Sequence, residues 1–131
     1  WLVMRNHTLK GEEICAPMKS LAPVLPIIRS HHERWDGSGY PDGLAGEKIP
    51  LSARIMQLAD IFDALTSPRS YKPAFGQQKA IEILRQEVRL GWRDPELVPV
   101  FCELIEQETS GEEPLELMRK SLVSMGRELA K

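Results

Sequence analysis

Cysteine and histidine are both scarce in this 131-residue chain, which contains two cysteines and three histidines. Cys15 and Cys102 stand alone, and without a Cys-x-x-Cys pair the sequence gives no sign of a cysteine zinc site. Isolated thiols on helical segments are more typical of reduced, buried residues in a cytoplasmic protein than of a disulfide. We therefore expect two free thiols and a cytoplasmic location.

Long apolar runs and strong net charge are also missing. No stretch approaches the roughly 20 apolar residues that a membrane-spanning helix needs, and no signal peptide pattern is present. A net charge of −2 gives no reason to expect nucleic acid or an anionic membrane as a partner. The length fits one domain, or part of one, with a single hydrophobic core.

Helical periodicity dominates the pattern, and no convincing alternating strand is present. The sequence predicts an all-α bundle with five core helices, at 1–15, 20–34, 50–66, 77–89 and from 94 onward. Residues 35–49 contain four of the nine glycines and are expected to form a long structured loop after the second helix. The fourth and fifth helices should bury Ile81, Leu84, Val88, Leu97, Val98, Phe101, Leu104 and Ile105.

The C-terminal segment predicts a sixth helix of different character. Ser110 and Glu113 form a capping box, and five apolar residues follow at heptad spacing: Leu115, Met118, Leu122, Met125 and Leu129. We therefore predict a bundle domain at 1–106 and an amphipathic helix at 107–131. This helix either packs on its own domain or joins a second chain in a homodimer.

The predicted third helix offers a candidate site. Leu51, Ile55, Leu58, Phe62 and Leu65 share one stripe, and Asp60 lies on the opposite, small-residue side. A helix that is apolar or small nearly all round is expected to be buried on both sides, which makes Asp60 an interior carboxylate. Such a group needs a salt bridge, for example to Arg54 or Arg69, or a bound cation.

Residues 31–41 read His-His-Glu-Arg-Trp-Asp-Gly-Ser-Gly-Tyr-Pro. Imidazole is the commonest metal ligand among side chains, and a glycine-rich loop with a tyrosine offers close backbone approach and a stacking ring. The pattern predicts a metal centre with a ligand pocket beside it. Because neighbours on a helix point about 100° apart, we expect His31 and His32 to face different ions, or one of them to face a phosphate.

The chain resembles the HD-GYP family, metal-dependent phosphodiesterases of the HD phosphohydrolase superfamily. The resemblance covers about residues 1–106, and its matching segments are 4–7, 11–14, 31–41, 49–55, 59–66 and 69–72. It implies hydrolysis of cyclic di-GMP to the linear dinucleotide or GMP in bacterial signalling. It also implies divalent metal ions, two or more in the complete protein. Nitrogen and oxygen donors without thiolate favour iron or manganese among them.

Positions that match the HD-GYP motifs are expected to bind metal, bind substrate or act in catalysis. The resemblance implies metal ligation by His7, His31, His32 and Asp60. Substrate binding is expected from Gly39, Tyr40, Pro41, Arg69 and Lys72, through close backbone approach, ring stacking and positive charge. Glu33 and Asp63 are the expected catalytic carboxylates. The open alternatives are structural: Tyr40 as a loop anchor, Arg69 as a partner of Asp63, and Lys72 as a surface charge.

Two departures from the family pattern affect these expectations. The chain has Ser-Pro-Arg-Ser-Tyr at 67–71 where the family commonly has Ser-Asp-Arg-Pro-Tyr, and it contains no His-Asp dipeptide. We therefore expect a C-terminal fragment of a longer protein with an upstream sensor or receiver domain, inactive by itself and weak in metal binding. The alternative is a degenerate module that binds nucleotide or a partner protein without hydrolysis.

Overall fold

The computed structural model describes residues 5–109, which form five α-helices and two short 3-10 turns. The helices are α1 (His7–Cys15), α2 (Leu25–Ser30), α3 (Leu51–Thr66), α4 (Gln77–Arg89) and α5 (Leu97–Thr109). The 3-10 turns are Lys19–Val24 and Gly46–Lys48. Within residues 5–109 no β-strand forms, and the only sheet-like pairings are two isolated bridges. The predicted all-α class is confirmed, and the predicted helix at 107–131 lies almost wholly outside the described residues.

The hydrophobic core lies where α3 and α4 pack together. Sequence neighbours α1 and α2, α2 and α3, and α3 and α4 are all in contact. Ile81 and Leu84 on α4 are fully buried, as predicted, and they pack in a core with Ile49, Ala53, Leu58 and Ala80. Burial of these side chains is the main favourable term in folding, worth about 1.5–3 kcal/mol for each large one.

The second predicted helix is shorter than expected. A 3-10 turn containing Pro23 precedes α2, whose first turn holds Pro26, and α2 ends at Ser30 instead of residue 34. The Gln57 side chain reaches this end from α3, where its Nε2 donates to the Ser30 and Glu33 carbonyl oxygens at 3.4 and 2.8 Å. These bonds satisfy carbonyls that a longer helix would have used internally.

The expectation that α3 is buried on both sides is wrong. Ala53, Gln57 and Leu58 are buried, but Asp60 is exposed. Leu51, Ile55 and Met56 on α3 are about half exposed as well. α2 and α4 both contact α3, but the residues they cover do not include Asp60, Leu51, Ile55 or Met56.

The predicted start of the fifth helix is three residues early, although its cap residue is right. Asp94 Oδ1 accepts the backbone N–H groups of Glu96 and Leu97 at 2.8 and 3.2 Å, and α5 begins at Leu97. The Arg54 guanidinium donates to the other Asp94 oxygen at 2.6 Å. Val98 is buried as predicted, but Leu104 is 46% exposed and does not belong to the core.

The chain divides into two compact units, Trp1–Val98 and Pro99–Lys131, and every candidate site residue lies in the first. The predicted boundary at residue 106 stays a prediction. Cys15 and Cys102 are free thiols. Across residues 5–109, every helix is too short or too polar to span a bilayer.

Candidate metal centre

All three histidines of the chain meet at one place. The candidate ligand atoms of His7, His31 and His32 lie within 4.8 Å of one another. The ring centroids of His31 and His32 are 4.2 Å apart, and those of His7 and His32 are 4.9 Å apart. Three imidazoles at this separation fit the donor chemistry of divalent transition-metal ions.

The helix end at Ser30 explains why two adjacent histidines converge, which the helical spacing had excluded. His31 is the C-cap of α2, with φ −68° and ψ −7°, so His32 already lies outside the helix. The Glu33 N–H then donates to the Ser30 carbonyl at 3.0 Å and closes a tight turn. The helical spacing behind the expectation that His31 and His32 face different ions therefore does not apply beyond Ser30, and the expectation itself stays a prediction.

Hydrogen bonding fixes the tautomer of His31. Its Nδ1 lies 2.9 Å from the Ile28 carbonyl oxygen and 3.2 Å from the Ile27 carbonyl oxygen. A carbonyl oxygen only accepts, so the proton of the neutral ring resides on Nδ1. The Nε2 lone pair then remains available to a metal ion, an arrangement that metal-binding histidines commonly use.

The His32 ring is held in its neutral form at neutral pH. Burial, followed by the neighbouring His31 and His7, lowers the pKa of His32 to about 4, and the opposing charge of Asp60 only partly offsets this. The positive charge of Arg93 acts in the same direction as burial. A neutral imidazole is the form that ligates metal, so protons do not compete for this ring near pH 7.

Asp60 lies beside the histidines without joining their cluster. Its charge acts on His32, and it lines the same cavity as His31 and His32. In the described part of the chain, the group of ligand atoms within 4.8 Å comprises the three histidines alone. Asp60 is exposed and lines the cavity, so its carboxylate has room to approach an ion at the histidine cluster.

A cavity of about 630 Å³ adjoins the histidine cluster. A volume of this size is typical of a small-molecule site. Its wall is rich in arginine and contains one carboxylate, that of Asp60. The lining residues are Arg5, His31, His32, Arg34, Ser38, Gly39, Tyr40, Gln57, Asp60, Ile61 and Arg93.

The glycine-tyrosine part of the loop reaches the cavity as predicted. The Tyr40 ring stacks on His32 with 5.0 Å between centroids and 22° between planes. The Arg5 guanidinium lies over the same ring at 5.3 Å. Pro41 follows a cis peptide bond and stands just outside the cavity lining. Tyr40 is thus both a cavity wall and a support for His32.

Gly39 is required by packing as well as by its place in the cavity. A Cβ atom at this position would lie 2.3 Å from the Arg34 backbone nitrogen and 2.5 Å from the Glu33 carbonyl carbon. Real Cβ atoms do not approach that closely, so any other residue would displace the backbone here. The glycine lets the loop lie directly on the turn that carries the histidines.

Glu33 faces the loop instead of the cavity. Its side chain is fully buried, and its two carboxylate oxygens accept the backbone N–H groups of Asp42 and Leu44 at 2.7 and 3.0 Å. With both oxygens engaged in this way, the carboxylate is not placed to act on a substrate in the cavity. The expected catalytic role for Glu33 therefore differs from the observed one, which is to fix the loop.

The segment after α3 also lies away from the cavity. Asp63 Oδ1 accepts a hydrogen bond from the Ser67 hydroxyl at 3.0 Å, and Arg69 and Lys72 pair through their backbones at 3.0 and 3.1 Å. The Lys72 ammonium lies 4.3 Å from the Phe75 ring centroid. Asp63, Arg69 and Lys72 do not line the cavity, so the structure does not bring them to the histidines.

A charged network holds the two histidine-bearing segments together. The Arg29 guanidinium on α2 donates to Asp42 in the loop at 2.7 and 2.9 Å. It also donates to Glu12 on α1. These bonds hold the pKa of Asp42 below its ordinary value. Arg29 thereby links α1, which carries His7, to the segments that carry His31, His32 and Tyr40.

Sequence reasoning missed the polar side chains that reach the cavity from distant segments. Gln57 and Arg93 are the clearest examples, joined by a 3.3 Å contact between Arg93 Nη1 and Gln57 Oε1. Arg34, inside the motif at 31–41, was also missed as a cavity residue, and its guanidinium lies 4.2 Å from the Trp92 ring centroid. A buried amide in a mostly apolar helix could have flagged Gln57, but no sequence signal marked Arg93.

Comparison with known proteins agrees with this geometry. The model of the HD domain family matches residues 3–97. A cyclic di-GMP phosphodiesterase of Vibrio cholerae is 48% identical over 89 residues, which cover 63% of this chain and 18% of that protein. A 3′3′-cGAMP-specific phosphodiesterase 2 of the same species is 42% identical over 106 residues, covering 79% of this chain and 20% of that protein.

A solved structure extends the likeness to three dimensions. The crystal structure of a cyclic GMP-AMP specific phosphodiesterase of Vibrio cholerae superposes with a TM-score of 0.63 at 28% identity, covering 90% of this chain and 27% of that chain. The chain thus spans between 18% and 27% of the length of these three relatives. With its motifs, fold and relatives in agreement, the chain belongs to the HD-GYP family of HD domain proteins.

Proposed function

We propose that the protein to which this chain belongs is a metal-dependent phosphodiesterase that hydrolyses cyclic di-GMP. The observation that most strongly supports this proposal is the convergence of His7, His31 and His32 beside a cavity of about 630 Å³. A cyclic dinucleotide has two anionic phosphates and two flat bases. A cavity with arginines, a tyrosine ring and a candidate metal site offers a partner for each of these groups.

The residues of this chain would have separate roles in metal binding and substrate binding. The three imidazoles, with Asp60 as a fourth donor, would hold the divalent cation that HD domain phosphohydrolases generally depend on. Such a cation acidifies water and neutralises charge on phosphate oxygens. The Tyr40 ring would stack on a base at the cavity wall, and the cavity arginines would bind phosphate oxygens.

The finer assignments are proposals of the same kind. Nitrogen and oxygen donors favour iron or manganese over metals that select thiolates. A centre of two or more ions needs more ligands than three imidazoles and one carboxylate, so we propose weak metal binding for this chain by itself. Asp63, Arg69 and Lys72 stand outside the cavity lining, so a catalytic role for Asp63 and phosphate binding by Arg69 and Lys72 remain part of the proposal.

The signalling context belongs to the proposal too. The relatives' names include both cyclic di-GMP and 3′3′-cGAMP phosphodiesterases, so 3′3′-cGAMP is the alternative substrate. We propose a cytoplasmic bacterial protein whose activity is governed by an upstream sensor or receiver domain. A homodimer through residues 111–131 stays a prediction, because that segment lies outside the described residues.

One observation favours a second candidate function, a nucleotide-binding module without hydrolysis. Glu33 and Asp63, the carboxylates expected to be catalytic, both stand apart from the cavity. A degenerate module of this kind would bind the dinucleotide through the same arginines and tyrosine. It would release the ligand intact.

The full-length protein decides between the two functions. Purified protein loaded with manganese or ferrous iron is incubated with cyclic di-GMP and, separately, with 3′3′-cGAMP, and products are separated by chromatography. Linear dinucleotide or GMP from the native protein, and its loss in His32→Ala, would support the phosphodiesterase. Arg89→Ala is the control, because Arg89 is exposed at the end of α4 and away from the cavity. Binding without cleavage would support the second candidate.

A further inference from the structure

Arg93 lines the cavity, and two hydrogen bonds hold its guanidinium in place. Its Nε donates to Glu87 Oε2 at 2.6 Å, and its Nη1 donates to Gln57 Oε1 at 3.3 Å. The Arg93 and Glu87 side chains are only 12% and 18% exposed. Gln57 is itself fixed, because it is buried and its Nε2 donates to the Glu33 carbonyl at 2.8 Å.

The guanidinium has donors left over. Arginine carries five N–H groups in a rigid plane, and Glu87 and Gln57 take two of those of Arg93. Because Arg93 lines the cavity, its remaining N–H groups can serve a ligand bound there. A guanidinium group that hydrogen bonds already orient loses little conformational entropy when it binds an oxyanion.

The surroundings of Arg93 favour an anion next to the histidines. Arg93 and His32 line the same cavity, and they are close enough for the Arg93 charge to act on the imidazole. Arg5 and Arg34 add two further guanidinium groups to the wall, against the single carboxylate of Asp60. A phosphate held at the histidine cluster would therefore lie within reach of the Arg93 fork.

We propose that Arg93 is a substrate-binding residue that donates to an oxygen of the scissile phosphate, with Glu87 and Gln57 as its positioning residues. The proposal deepens the proposed function and rests on it for the identity of the substrate. It goes beyond the motif residues, because Arg93 lies outside the matching segments.

A purely structural role is the competing explanation. The Arg93–Glu87 ion pair joins α4 to the turn before α5, and its loss alone could destabilise the fold. Under that explanation Arg93→Ala and Glu87→Gln would have similar effects on stability and on activity. Under the proposal, Arg93→Ala acts on phosphate binding specifically, and Arg93→Lys restores part of it because the positive charge remains.

The experiment uses the full-length, manganese-loaded protein with two substrates. Cyclic di-GMP tests the dinucleotide, and bis(p-nitrophenyl) phosphate tests a phosphodiester without nucleobases. We expect Arg93→Ala to lower kcat/KM for both by roughly 10- to 100-fold, the range for losing a hydrogen bond to a charged group. Arg93→Lys should recover part of this loss, Glu87→Gln should lose less than Arg93→Ala, and Arg89→Ala should match the native protein. Thermal unfolding of each variant monitors the fold.

Two results would overturn the proposal, and a third would overturn the proposed function on which it rests. Unchanged kcat/KM for bis(p-nitrophenyl) phosphate in a folded Arg93→Ala variant would overturn the proposal, even if cyclic di-GMP turnover fell. Equal losses in Arg93→Ala and Glu87→Gln that track unfolding would also overturn it. Should the native protein hydrolyse neither substrate, the proposed function fails, and an inorganic phosphate titration followed by NMR then decides the role of Arg93. Weaker phosphate binding in Arg93→Ala than in Arg89→Ala supports that role, and equal binding refutes it.

Discussion

A fully buried carboxylate is stable only when hydrogen bonds replace its hydration, and Glu33 meets this condition with the loop beside the histidines. Its two oxygens accept the Asp42 and Leu44 amides, so one side chain positions the segment that directly follows the cis Tyr40–Pro41 bond. The same residue follows His32 directly in sequence. Glu33 therefore couples the shape of the loop to the turn that brings the imidazoles together.

Substitution of Glu33 by glutamine should destabilise the protein while keeping the side-chain volume. A carboxamide has one oxygen, so one of the two backbone N–H donors would face an NH₂ group and lose its acceptor. We expect the free energy of unfolding to fall by about 1–3 kcal/mol, measured by urea denaturation. Glu47→Gln is the matched control, because Glu47 is exposed on the 3-10 turn. Equal effects of the two substitutions would contradict the loop-fixing role.

Gly39 and Gly76 give a second comparison between residues of the same type. A Cβ at Gly39 would meet the Arg34 backbone nitrogen at 2.3 Å, whereas at Gly76 nothing lies within 4 Å. Gly39→Ala should therefore cost about 1–3 kcal/mol of stability, and Gly76→Ala should be close to neutral. Thermal unfolding followed by circular dichroism measures both. A Gly39→Ala variant as stable as Gly76→Ala would show that the loop does not lie against the turn.

Most of the expected site residues that the structure brings to the cavity come from the motif at 31–41. His31, His32, Gly39 and Tyr40 reach the cavity because one turn and one loop carry them all. Arg93 could not be predicted, since only tertiary packing brings the turn before α5 to the cavity, and Gln57 was marked only as a polar residue in a mostly apolar helix. Assigning the side of the turn that Glu33 faces required knowing where α2 ends.

At the scale of elements, helix ends marked by local chemistry were predictable, and those set by tertiary contacts were not. α4 was predicted to the residue, with Gly76 before it and Leu90 and Gly91 after it. The end of α2 depends on the Gln57 amide reaching across from α3. The periodicity of residues 20–34 carried no information about that contact.

The Arg29 network is the element-scale feature that a mutation can test. Arg29→Ala removes the links from α2 to Glu12 and Asp42, and we expect a loss of about 1 kcal/mol, because exposed pairs contribute little individually. The folded-state pKa of Asp42 is lowered, so its contribution is present above the ordinary carboxyl pKa and disappears as pH falls through the folded pKa. Stability against pH, measured by urea denaturation from pH 7 to pH 3, should show a smaller difference between native and variant at pH 3. Lys48→Ala, which removes an exposed cation at the end of the 3-10 turn Gly46–Lys48, is the control and should leave this pH dependence unchanged.

At the scale of the whole molecule, the histidine cluster joins parts of the chain that are far apart in sequence. His7 begins α1, His31 caps α2, and Asp60 approaches from α3. An ion held by these groups would cross-link the elements that Arg29 and Glu33 already position. Binding to the folded state alone raises stability by mass action, about 2.7 kcal/mol at a ligand concentration 100 times the Kd.

The last prediction concerns metal binding by the 131-residue chain itself. Three imidazoles and an exposed carboxylate suffice for one divalent ion and leave positions of a two-ion centre open, so we expect at most one weakly held, exchangeable ion. Cobalt(II) titration, followed by its visible absorption, should give one site per chain that dialysis against a chelator empties. His32→Ala should abolish the absorption change, and Cys15→Ser should leave it intact, because Cys15 lies outside the cluster. Elemental analysis that finds two ions per chain after exhaustive dialysis would contradict this, and would mean that these residues form a closed centre by themselves.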